Sequence, residues 1–213
     1  MNPSVVLFFV FNVLATAFLG GKFASRRNDP VFRDFGIAMI LNAIAFAIWS
    51  VGLISPAYLL PCVTLGTIIF LIALILLFFT AVQKSRSAST KWFLTVLAVV
   101  IALVVFYIGH LDPHSAFISP EGFLFFNLGG AIQMLYIFIM LLAVLPTVDL
   151  VASKFKSPYS SLFRYSLIAE LCGGVILITS KDPQALYLSG WIIGLVYLVL
   201  LASFVFGRKA WEQ

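Results

Sequence analysis

Apolar residues occupy long uninterrupted stretches of this chain, and charged residues gather in the short breaks between them. Runs of this length read as helices crossing a bilayer, not as strands of a barrel. Seven such runs are predicted, at 4–21, 35–54, 57–82, 92–109, 122–148, 162–180 and 186–206. Each is near or above the ~18–20 residues that a helix needs to cross ~30 Å of hydrocarbon. The third and fifth are long enough to tilt or to extend past the bilayer. Pro61 falls in the first turns of the third run, where proline is tolerated, and Pro146 near the end of the fifth. The expectation is an all-α integral membrane protein, one seven-helix domain over residues 1–213.

Composition agrees with the pattern. Hydrophobic residues make up 62% of the chain and charged ones 10%, with a mean hydropathy of +1.12. A soluble domain averages roughly 45–50% apolar and about 25% charged, and one core of this size could not hide the excess. The pI of about 9.4 invites a nucleic-acid reading. Placed against the seven runs, however, the basic residues report topology. With the N-terminus outside, Lys22, Arg26, Arg27, Arg33, Lys84, Arg86, Lys91, Lys154, Lys156, Arg164, Arg208 and Lys209 fall in inner breaks, and only Lys181 in an outer one. The outer breaks also carry Asp112, Glu121 and Asp182. The rule that Lys and Arg remain cytoplasmic therefore predicts N-out and C-in.

Ala15-Thr16-Ala17 imitates a cleavage site, but the positive charges follow the first run instead of preceding it, which argues for an anchor and not a signal peptide. None of the breaks is long enough for a soluble domain, and the chain stops at GRKAWEQ. Any ligand or signal is then expected to be handled inside the bundle, or by a partner docking on the inner loops. Those basic loops also suit anionic lipid.

Several chemistries are disfavoured. Cys62 and Cys172 sit inside the third and sixth runs without metal-ligand spacing or a disulfide pattern, and read as packing residues. His110 and His114 share the outer string GHLDPH, and a metal there needs another ligand. No histidine lies within a run to hold a membrane haem, and the last run has no lysine for a retinal Schiff base. Pro183-Gln184 stands in a loop, so it lends nothing to a proline-glutamine-loop sugar transporter. With no phosphate loop or nucleophile elbow, neither cofactor, metal nor enzymatic activity is expected.

The remaining signal is an interior polar layer. Counted from each outer end, a polar residue recurs about 9–12 positions in, or ~14–18 Å at helical rise. These residues are Asn12, Asn42, Thr67, Gln133, Glu170 and Tyr197. The fourth run lacks one and should lie at the periphery, facing lipid. Asn127, nearer the outer end of the fifth run, could line an entrance. Glu170 is the one charged side chain deep in a run, with Ser166, Leu167, Gly173 and Gly174 on its face. The glycines admit a neighbouring helix, so Glu170 should point inward. An intramembrane carboxylate usually marks an ion, proton or ligand path. The competing reading is interhelical glue, hydrogen-bonded to Gln133 or Asn42. Arg164, a further ~9 Å toward the inner side, suits snorkelling better than pairing with Glu170.

Gly190-x-x-x-Gly194, Ala43-x-x-x-Ala47 and Ala17-x-x-x-Gly21 fit close helix contacts within the chain or in a homo-oligomer. Trp49, Trp92, Tyr107, Tyr187 and Trp191 fall near the expected interfaces.

The first two runs, FNVLATAFLGGKFASRRNDPVFRDFGIAMILNAIAFAIWSVGLIS, comprise an outer-start helix, a basic loop with an Asn-x-Pro turn, and a helix ending Trp-Ser-x-Gly. This resembles the seven-helix sensory module at the N-terminus of some bacterial histidine kinases and related signalling proteins. The basic third-to-fourth loop, long fifth helix and basic loop before helix six are compatible with it. Such modules feed a cytoplasmic kinase or cyclase domain, which is missing here. The resemblance therefore implies a stand-alone receptor or accessory subunit in the bacterial inner membrane, and carries over no catalytic residue.

Three functions stay open. The first is a receptor-like sensor binding a small or lipidic ligand near Glu170, Gln133, Asn42 and Tyr197. The second is a small transporter or channel, proton-coupled through Glu170, against which stands the lack of a repeat or broken helix pair. The third is a structural or assembly subunit of a membrane complex, with Glu170 as glue.

Overall fold

The computed structural model describes residues 3–26, 28–82, 88–110, 116–120, 124–156 and 158–206. Seven α-helices follow one another: α1 Pro3–Ala24, α2 Pro30–Ile54, α3 Leu59–Val82, α4 Ala88–His110, α5 Gly130–Ala152, α6 Tyr159–Thr179 and α7 Pro183–Phe206. A single 3-10 turn, Pro56–Tyr58, separates α2 from α3, and a small β-hairpin, β1 Ala116–Ile118 with β2 Leu124–Phe126, precedes α5. By length and composition α2, α3, α5, α6 and α7 can each cross a membrane. The apolar parts established for α1 and α4 are shorter, Phe9–Ala24 and Ser89–Val104. The protein is thus a multi-pass helical membrane protein. Arg27, Lys84, Arg86, Asp112, His114, Glu121, Arg208 and Lys209 lie outside the described residues.

The hairpin corrects the fifth span expected from residue 122. Leu124-Phe125-Phe126 is apolar but rich in aromatic side chains that favour strands, and Gly129-Gly130 directly behind it is costly inside a helix. The helix accordingly begins at Gly130, with Gly129 as an extended N-cap. Ala116 pairs with Phe126 and Ile118 with Leu124, and all three β2 side chains are buried. On the hairpin, Phe117 and Phe125 stack at 5.3 Å between ring centroids.

The ends of α2 are set locally. Asp29 caps the N-terminus by accepting a hydrogen bond from the Val31 N–H at 3.0 Å, and Pro30 occupies the first turn, where its missing N–H costs nothing. Asp29 also pairs with Lys154 at 2.9 Å, tying the α1–α2 connection to the α5–α6 connection. Arg164, as expected, does not reach Glu170; its Nε lies 2.8 Å from Asp149 Oδ1.

Helices approach closely where glycine removes a side chain. At the α1–α2 crossing a Cβ on Gly20 would fall 2.9 Å from Gly36 O, and one on Gly36 would meet the backbone of Ala24 and Gly20. Gly66 on α3 leaves room for the indole of Trp49. Gly21 and Gly194, each the second member of a predicted pair, do not set a close approach, since a Cβ on either would meet nothing within 4 Å. On α5, Thr147, next to Pro146 inside the same helix, keeps its hydroxyl 2.8 Å from Leu77 O on α3 and 2.7 Å from Ala143 O one turn back.

Two hydrophobic clusters fill the bundle. One, toward the hairpin, centres on Trp49, Val63, Phe126, Ile132 and Tyr136. The other, toward the basic connections, gathers Phe23, Phe32, Phe35, Phe155 and Phe163, with Phe23 stacked on Phe32 at 5.8 Å. The outside stays apolar. Leu7, Trp92, Trp191 and Leu195 are well exposed, as suits a lipid-facing surface. Helix α4 packs on α3 and α5, buries Ala102 and exposes most of its other large side chains, the peripheral position expected of it.

Candidate functional site

A cavity of about 140 Å³ lies among α2, α3, α5, α6 and α7, with Phe126 and Leu128 from the hairpin and the segment after it in its wall. The residues around it are buried or half-buried. Most of its wall is aliphatic or aromatic, and the polar groups are few: Asn42, Thr67, Tyr136, Glu170, Tyr197 and the indole of Trp49. A small number of fixed polar groups in an apolar wall is the usual build of a small-molecule site.

Glu170 is held from α7. Tyr197, almost fully buried, donates from its hydroxyl to Glu170 Oε1 at 2.5 Å. Two turns earlier on α7, Ser189 donates to Gly173 O at 2.6 Å. A Cβ on Gly173 would come within 2.7 Å of Ile193 Cγ1, so the bare glycine sets how near α7 approaches. These contacts turn the Glu170 face of α6 inward, as its flanking glycines predict. The partner is Tyr197, however, and neither Gln133 nor Asn42.

Four of the seven residues marked by the sequence therefore meet at the cavity: Glu170, Tyr197, Asn42 and Thr67. The other three are placed elsewhere. Asn12 is buried on α1, none of whose described residues lines the wall. Gln133 turns toward the end of α6 and donates from Nε2 to Ile178 O at 3.4 Å, satisfying one of the carbonyls that a helix C-terminus leaves open. Asn127 precedes α5 instead of lying on it, is exposed, is not among the lining residues, and accepts from Lys181 Nζ at 3.2 Å.

Conversely, the polar-layer reading passes over Tyr136 and Trp49. Tyr136 lies three residues beyond Gln133 and on the same side of α5, so helical periodicity was the available signal. Trp49 is expected at the interface but is buried beside the cavity, with Nε1 donating to Val63 O at 3.4 Å. Asn42 Oδ1, shielded from solvent, has no hydrogen-bond partner among the described residues. Cys62 is half-buried and Cys172 exposed, both as free thiols, and no cluster of three metal-binding side chains occurs among the described residues.

No family model, no curated protein and no solved structure matches the chain.

Proposed function

We propose that this protein is a receptor-like membrane sensor that binds a small or lipidic ligand in the cavity beside Glu170 and signals through a separate partner. The observation that carries the reading is the cavity itself: it is shared by five helices and presents one carboxyl group in a mostly apolar wall. A ligand there touches five helices at once, and differential contact with two arrangements is what a receptor needs. The resemblance of the first two helices to the sensory module of bacterial signalling proteins supports the same reading. It implies that all seven helices span the inner membrane, with the N-terminus outside and the basic connections facing the cytoplasm, available to anionic lipid or a protein partner.

Native mass spectrometry of gently extracted protein, wild type beside Glu170→Gln, tests this. Glutamine still accepts from Tyr197 but removes the carboxylate. The reading expects a discrete adduct on the wild type that the substitution weakens or abolishes. Bare protein in both samples, with equal thermal stability, removes Glu170 from the argument.

A further inference from the structure

The formal charge that the cavity wall can carry is of one sign. Among the described residues that line it, Glu170 carries the one carboxyl group, and none is a lysine, arginine or histidine. The second carboxyl oxygen of Glu170 is not taken by Tyr197, which donates to Oε1. Asn42 Oδ1 is a second acceptor, buried and unmatched among the described residues. Buried polar atoms are almost always paired, so an acceptor left over in a cavity wall points to a donor supplied from outside the chain. Aromatic rings occupy much of the remaining wall, among them Phe46, Trp49, Phe70 and Tyr136. Their faces carry negative charge density and attract cations.

We infer that the ligand is a small lipophilic amine in its protonated form, its ammonium group donating to Glu170 and Asn42 and its apolar body resting against the aromatic rings. This rests on the reading of the cavity as a ligand site and names the class of ligand. The volume sets the size. About 140 Å³ compares with the ~150 Å³ cavity known to accept benzene, so a single ring with a short aminoalkyl arm is the right scale. A carboxylate of the same size would face Glu170 with no cation to offset it. A neutral alcohol could donate one hydrogen bond but would leave the carboxylate without a counter-charge, a costly arrangement away from water.

Isothermal titration of the detergent-solubilised full chain with benzylamine, benzyl alcohol and benzoate tests the assignment. Benzylamine is expected to bind at least about tenfold tighter than benzyl alcohol, the scale of one charge-assisted hydrogen bond, and benzoate more weakly than either. In Glu170→Gln the preference for benzylamine should collapse while benzyl alcohol still binds. Asn42→Leu, which leaves the carboxylate in place, should weaken benzylamine and keep part of the preference, and it serves should Glu170→Gln fail to fold. Benzyl alcohol or benzoate binding as tightly as benzylamine to the wild type overturns the amine assignment and leaves the cavity a ligand site. Binding of none of the three overturns the assignment, and the adduct experiment on protein from native membrane then decides separately whether the cavity holds a ligand at all.

Discussion

At the scale of the residue, two carboxylates are held in opposite ways. Glu170 lies inside the bundle against one phenol, whereas Asp29 lies in a connection among an ammonium group and two backbone N–H groups. Tyr197→Phe removes the one donor to Glu170 found among the described residues, and leaving a buried acceptor without its partner costs about 1–3 kcal/mol. Thermal unfolding in detergent should show that loss, and an unchanged midpoint would mean that the hydroxyl is not bonded to Glu170. Around Asp29, burial pushes the carboxyl up, but Lys154 and the N–H groups of Val31 and Phe32 outweigh it, so its pKa sits below the ordinary 3.8. A carboxylate held below its unfolded-state value stabilises the fold above that value, and the stabilisation is lost as pH falls through the folded one. Asp29→Asn preserves the helix cap but not the charge. The stability gap between wild type and this variant should be present at neutral pH and shrink below about pH 4. A gap that does not vary with pH would contradict a charged Asp29. The sequence shows Glu170 plainly, as a lone carboxyl in an apolar run. Its partner was not legible, because Tyr197, Gln133 and Asn42 lie at one depth and only the rotation of each helix about its axis selects among them.

At the scale of the element, glycine placement decides the crossings. Gly20 and Gly36 face each other, and a Cβ on Gly36 would strike backbone atoms, which cannot swing aside as a flexible side chain can. Gly36→Ala should therefore cost about 1–3 kcal/mol, whereas Gly21→Ala, one residue from Gly20 but facing open space, should be neutral or slightly stabilising. Chemical unfolding of the two variants side by side checks this, and equal effects would contradict the crossing. Small-residue spacing alone could not distinguish Gly20 from Gly21, since adjacent residues point about 100° apart on a helix and neither motif states which side the neighbour occupies. Apolar length likewise predicts the seven helices but misreads residues 124–128. Hydropathy does not separate a buried strand from a helix, and the informative signals were the aromatic cluster and the glycine pair behind it.

At the scale of the whole molecule, the five helices that meet the membrane criterion of length and apolarity are also the five that surround the cavity. Helices α1 and α4 stand outside that ring; α1 packs on α2 and α7, and α4 on α3 and α5. The orientation proposed here places Lys156 in the cytoplasm and Lys181 outside. With Cys62 and Cys172 replaced by alanine, Lys181→Cys should react with an impermeant thiol reagent in intact cells, and Lys156→Cys only after the membrane is opened; the reverse pattern would invert the topology. The central claim is that the space beside Glu170 holds a ligand. It is tested most directly by an experimental density map of protein taken from its native membrane by gentle extraction. The account predicts non-protein density larger than water within hydrogen-bonding distance of Glu170 and Asn42. A cavity closed by its own side chains, or holding only water, would contradict it.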